Sequence, residues 1–91
     1  MRILIVEDDA ALRRYVRAAA EEGGFSVDEA ACLDDATAHI ETVPYDAVVL
    51  DLGLPDGDGL GLIATIRRMR AGLPILILTA RDGIKDRHFV P

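Results

Sequence analysis

The chain has 91 residues, 51% of them hydrophobic and 4% aromatic, with a formal charge of −6 and a single cysteine. That length predicts one domain with a modest Val/Ile/Leu/Ala core, and the acidic balance argues against direct binding to nucleic acid or to an anionic membrane. One Cys32 and no Cys/His cluster at zinc spacing exclude an internal disulfide and a structural zinc, and no stretch approaches the length of a membrane span, so a cytoplasmic protein is expected.

The first predicted element is the strand Ile3-Leu4-Ile5-Val6, which ends in the three carboxylates Glu7, Asp8 and Asp9. A helix follows from Ala10 to Glu22, with Leu12, Tyr15, Val16 and Ala19 on one stripe and Arg13, Arg14 and Arg17 off it. Asp9 suits its N-cap, and Gly23-Gly24 ends it. Phe25 to Ala30 alternates like a strand, more polar than the others and so placed at a sheet edge. Leu33, Ala36 and Ile40 mark a second helix with Asp34 and Asp35 in its first turn. His39 there is solitary and reads as a solvated helix residue. Cys32 reads as a small buried hydrophobe.

Ala47-Val48-Val49-Leu50 is continuously apolar, the mark of a strand buried on both faces of a parallel sheet, and it stops at Asp51. The loop Leu52-Gly53-Leu54-Pro55-Asp56-Gly57-Asp58-Gly59 leads into a third helix to about Arg70, with Leu62, Ile63, Ile66 and Met69 inward and Arg67, Arg68 and Arg70 at a solvated end. The loop is no calcium-binding loop, because the twelfth position from Asp56 is Arg67. Ile75-Leu76-Ile77-Leu78 is a further buried strand, ending at Thr79. Asp82 to His88 predicts the first turns of another helix.

This β-α-β-α-β-α-β order predicts an α/β fold, a doubly wound parallel sheet with helices on both faces. Ligands of such sheets sit at the carboxyl ends of the strands, so Glu7, Asp8, Asp51 and Thr79 are candidates to meet on one rim. Carboxylates that close repel by about 4 kcal/mol per pair at an intermediate dielectric, and an all-oxygen cluster favours a hard ion such as Mg²⁺. The metal would neutralise an incoming phosphoryl group beside an Asp able to attack it.

With these three motifs in order, Ile3 to Asp9, Tyr45 to Leu60 and Pro74 to Asp82, the chain resembles the receiver domain of bacterial two-component response regulators, with wording nearest the winged-helix transcription regulators. The resemblance implies a flavodoxin-like fold, with Asp51 as phosphoacceptor served by a histidine kinase and Thr79 as the switch hydroxyl. It further implies that Asp8, Asp51 and the Gly53 carbonyl bind Mg²⁺ and that Glu7 acts through a metal-bound water. By that pattern residues 1–88 form a truncated receiver and 89–91 a tail, lacking the fifth strand and fifth helix together with the Lys and Pro that follow that strand. Lys85 lies where a fourth helix would begin and does not replace that Lys.

In the strand order 2-1-3-4-5 implied by the family, Ile75 to Leu78 would become an open edge, which predicts a homodimer through that strand, exchange of an element with a second copy, or a fragment of a longer protein. Two other functions compete: an interaction or dimerisation module of receiver shape that is not phosphorylated, and a phosphatase of the haloacid dehalogenase type. The latter requires a second acid two residues after its nucleophile, where this chain has Gly53.

Overall fold

A computed structural model describes residues 1–78 and, for the backbone, 87–90. Three apolar runs rich in branched side chains and the more polar Ser26–Ala30 become parallel strands, because the helix between each and the next returns the chain to the same end of the sheet. The elements are β1 (Arg2–Val6), α1 (Ala10–Glu22), β2 (Ser26–Ala30), α2 (Leu33–Thr42), β3 (Ala47–Asp51), the two-residue strands β4 (Gly53–Leu54) and β5 (Gly57–Asp58), α3 (Gly59–Met69), β6 (Ile75–Leu78) and β7 (Arg87–Val90). The main sheet runs β2-β1-β3-β6-β7, and β4 and β5 form a small antiparallel ladder of their own. Among the described residues there are four parallel strands and three helices, without a fifth parallel strand or a fifth helix.

The last strand corrects two expectations. Arg87 and His88 lie in β7 rather than in a helix, and β7 pairs antiparallel with β6 from Ile75↔Val90 to Leu78↔Arg87. The edge of Ile75 to Leu78 expected to be open is therefore taken by this chain's own backbone, which satisfies the N–H and C=O groups that pairing between copies through that edge would have used.

Two apolar layers flank the sheet. One gathers Leu4, Val6, Ala36, Ile40, Val48, Leu50, Leu62, Ile66 and Ile75 beneath α2 and α3. The other joins Ile3, Ile5, Val27 and Val49 with Val16, Ala20 and Phe25 on the α1 side. Helix α1 is turned by about one residue from its expected face: Tyr15 is 68% exposed and Leu12 and Ala19 are exposed, whereas Val16 and Ala20 pack on the sheet. On this face Arg13 and Arg17 both pair with Glu29 of β2. On α3, Leu62 and Ile66 are buried as expected, while Met69 is exposed.

Helix α2 is capped from outside at both ends. Its N-cap residue, the half-buried Cys32, makes no side-chain cap bond. Instead the Asp56 carboxylate accepts from the Leu33 and Asp34 N–H groups, at 2.8 and 3.2 Å. At the other end Arg70 donates to the Ile40 carbonyl at 3.1 Å. Arg67 likewise donates to the Leu73 carbonyl, so the basic end of α3 is a structural fastening and not merely a solvated terminus.

Candidate functional site

The register of β1 and β3 builds the site. Val6 stands beside Leu50 in the parallel ladder, so the next residues, Glu7 and Asp51, leave the sheet side by side at its carboxyl rim, with Asp8 following. One carboxylate oxygen from each of Glu7, Asp8 and Asp51 lies within 4.8 Å of the others. Glu7 is buried, Asp51 half-buried and Asp8 exposed, so the cluster opens outward from its deepest member. Gly53, the fourth predicted ligand, lies two residues beyond Asp51 at the start of the β4–β5 ladder, paired with Asp58. Thr79 lies outside the described residues; Leu78, which precedes it, stands beside Asp51.

Burial pushes the Glu7 carboxyl up to about 7, and the charges of Asp51 and Asp8 add to that effect, while the Asp9 N–H donating to its Oε2 at 3.0 Å opposes it. At neutral pH Glu7 is thus protonated in about half of the molecules. All its donors are carboxylate oxygens, with no sulfur or imidazole, a set that suits a hard divalent ion of the Mg²⁺ class.

The backbone around the cluster is held from several directions. Asp9 caps α1, as expected, by accepting from Ala11 and Leu12 N–H groups at 2.9 and 3.1 Å. Arg13 bridges from Glu29 to the turn itself, with Nε 2.7 Å from Glu29 Oε1 and Nη1 donating to the Glu7 carbonyl at 2.7 Å. On the other side α3 begins against the exit of β3. A Cβ at Gly59 would stand 2.9 Å from Leu52 Cα and 3.0 Å from the Asp51 carbonyl, so only glycine permits that approach. The Gly59 N–H closes the loop by donating to the Leu52 carbonyl at 3.0 Å.

Arg13 and Asp56 were not legible as parts of the site's support. In the sequence Arg13 stands off the apolar stripe of α1 together with Arg14 and Arg17, and its role depends on Glu29, sixteen positions away. Asp56 lies in the loop before α3, and its partners, the Leu33 and Asp34 N–H groups, belong to another element.

The family model for the response regulator receiver domain matches residues 3–90. Among curated proteins the chain is similar to the transcriptional regulatory protein BasR of Escherichia coli strain K12, 47% identical over 87 residues, covering 96% of this chain and 39% of BasR. It is also similar to the transcriptional regulatory protein PmrA of Pectobacterium parmentieri, 45% identical with the same coverage of 96% and 39%. The chain thus spans about 39% of the length of these relatives. Among solved structures, the non-phosphorylated HemR receiver domain from Leptospira biflexa superposes with a TM-score of 0.83 at 38% identity, covering 91% of this chain and 67% of that one. The response regulator protein TrrA from Thermotoga maritima, solved in complex with Mg²⁺-BeF, gives 0.84 at 31% identity over 89% of this chain and 70% of that one. Register, acidic rim, sequence match and superposition agree, and the chain belongs to the response regulator receiver domain family.

Proposed function

We propose that this chain is a signalling module that accepts a phosphoryl group on Asp51 from the phosphohistidine of a histidine kinase in the cytoplasm. The observation that carries this reading is the convergence of the Glu7, Asp8 and Asp51 carboxylates within 4.8 Å at the ends of two adjacent parallel strands. Support comes from TrrA, solved with Mg²⁺-BeF, and from relatives that are transcriptional regulators. In the transfer an Asp51 carboxylate oxygen forms a bond to phosphorus, the P–N bond to the donor imidazole breaks, and the imidazole leaves and takes up a proton. Asp8, Asp51 and the Gly53 carbonyl would hold Mg²⁺, with Glu7 acting through water. The ion supplies positive charge that lets an anionic phosphoryl group approach the carboxylates. Glu7 gives up its proton to complete the charge of the pocket, and Gly59 keeps α3 close behind Asp51 without a side chain in the way. Thr79 is assigned the switch hydroxyl on the family pattern. Output is a conformational change rather than turnover of a small molecule.

Intact-mass analysis with a small phosphodonor tests this. The unsubstituted chain should gain one labile phosphoryl group only when Mg²⁺ is present, and Asp51→Asn should gain none. A folded chain that remains unmodified, or one modified equally after Asp51→Asn, overturns the assignment.

A further inference from the structure

The β4–β5 ladder is two residues long on each side, too short to hold its own geometry in water. It nevertheless carries Gly53, the residue assigned above to the metal, and it follows Asp51 directly. What fixes it is at its tip. The Asp56 carboxylate accepts from both the Leu33 and Asp34 N–H groups of α2, and these N–H groups have no cap from their own N-cap residue Cys32. Gly57, beside it, has φ +150°, and a Cβ there would stand 2.9 Å from Leu33 Cδ1, so the tip also lies in contact distance of the first residue of α2. Leu54 is buried in the core beneath. The ladder is thus docked onto α2 through one charged side chain at the point where the chain reverses.

We infer that Asp56 is a positioning residue of the phosphoacceptor pocket: by capping α2 from the loop it holds the β4–β5 ladder, and with it Gly53, in place for the cation. The inference rests on the metal-assisted phosphoacceptor reading, and it separates from a plain capping role by a charge-conserving swap. Cys32 has φ −153° and ψ 169°, the extended backbone of an N-cap, so Cys32→Asp in an Asp56→Ala background returns a cap to α2 from its own chain without tying down the loop.

The experiment compares the unsubstituted chain, Asp56→Ala and the double variant by thermal melting, Mg²⁺ titration calorimetry and hydrogen exchange at the Gly59 N–H, whose bond to Leu52 closes the loop. Asp56→Ala should lower Tm, raise the half-saturating Mg²⁺ concentration about tenfold, as loss of a supporting partner does at other metal sites, and speed Gly59 exchange. Adding Cys32→Asp should restore Tm alone. Asp56→Asn, which keeps one acceptor, should fall between and serves if the alanine variant does not fold. Recovery of Mg²⁺ binding and slow exchange in the double variant, or unchanged Gly59 exchange in Asp56→Ala, overturns the inference. Mg²⁺ binding the unsubstituted chain no better than Asp51→Asn defeats the metal-site reading instead, and Gly59 exchange then decides whether Asp56 holds the loop.

Discussion

Glu7 is the deepest of the three clustered carboxyl groups, the one whose proton a cation bound nearby would expel. Its pKa of about 7 in the metal-free chain means that binding a divalent ion displaces a proton at neutral pH. Affinity for Mg²⁺ should therefore rise as pH increases through 7, by about tenfold between pH 6 and 8, and level off above. Calorimetric titrations across that interval check it, and Glu7→Gln should flatten the profile by removing the titrating group. Asp8 and Asp51, more open to water, lack Glu7's burial. The difference arises from placement: Glu7 follows directly on a fully buried Val6, and its own N–H is fixed to the Ala30 carbonyl of β2 at 3.0 Å.

At the scale of elements, β1, β2 and the entrance to β3 are joined by a polar cluster far from the acidic rim along the strands. Asp28 on β2 accepts from Arg2 Nε and Nη2, both at 2.9 Å, and from the Tyr45 hydroxyl at 2.6 Å. Arg2 and then Tyr45 hold the Asp28 carboxyl below its ordinary 3.8. A depressed carboxylate contributes stability that is fully present above its unfolded value and is lost as pH falls through the folded one. Tyr45→Phe should thus cost about 1–2 kcal/mol at pH 7 in urea denaturation, and less once the pH is low enough, below the ordinary carboxylate value, for Asp28 to take up its proton. The long elements were legible because each carries its own signal: apolar runs ending in acid for β1 and β3, an Asp cap for α1, and the Ala36/Ile40 pair of α2. The facing of α1 was not, because the pairing of Arg13 and Arg17 with Glu29 joins residues on different elements. Nor was β7, which pairs antiparallel with β6 and whose four residues carry no period of their own.

For the molecule as a whole, one thin sheet must support two apolar layers, and α3 anchors the larger of them through Ile66, which is wholly buried. Ile66→Ala should cost about 2–5 kcal/mol, a large share of what a domain this small holds in reserve, and a urea melt should show a much lower midpoint with an unchanged slope. The rim chemistry could be read in advance because parallel strands bring their carboxyl ends together whatever the loops do; the fastening of those loops could not, since it runs through Arg13, Asp56 and Arg70 between elements distant in sequence. The strand order has one more consequence. Interior β1 is made before either neighbour, and its register partner on β3 lies 44 positions later, Ile3 against Ala47. At roughly 5–20 residues per second on the ribosome, that is a wait of about 2–9 s. During it the most apolar strand of the nascent chain has only α1 and β2 for shelter, so that first β-α-β unit is what must keep Ile3, Leu4, Ile5 and Val6 from sticking to other chains until Ala47–Asp51 emerges.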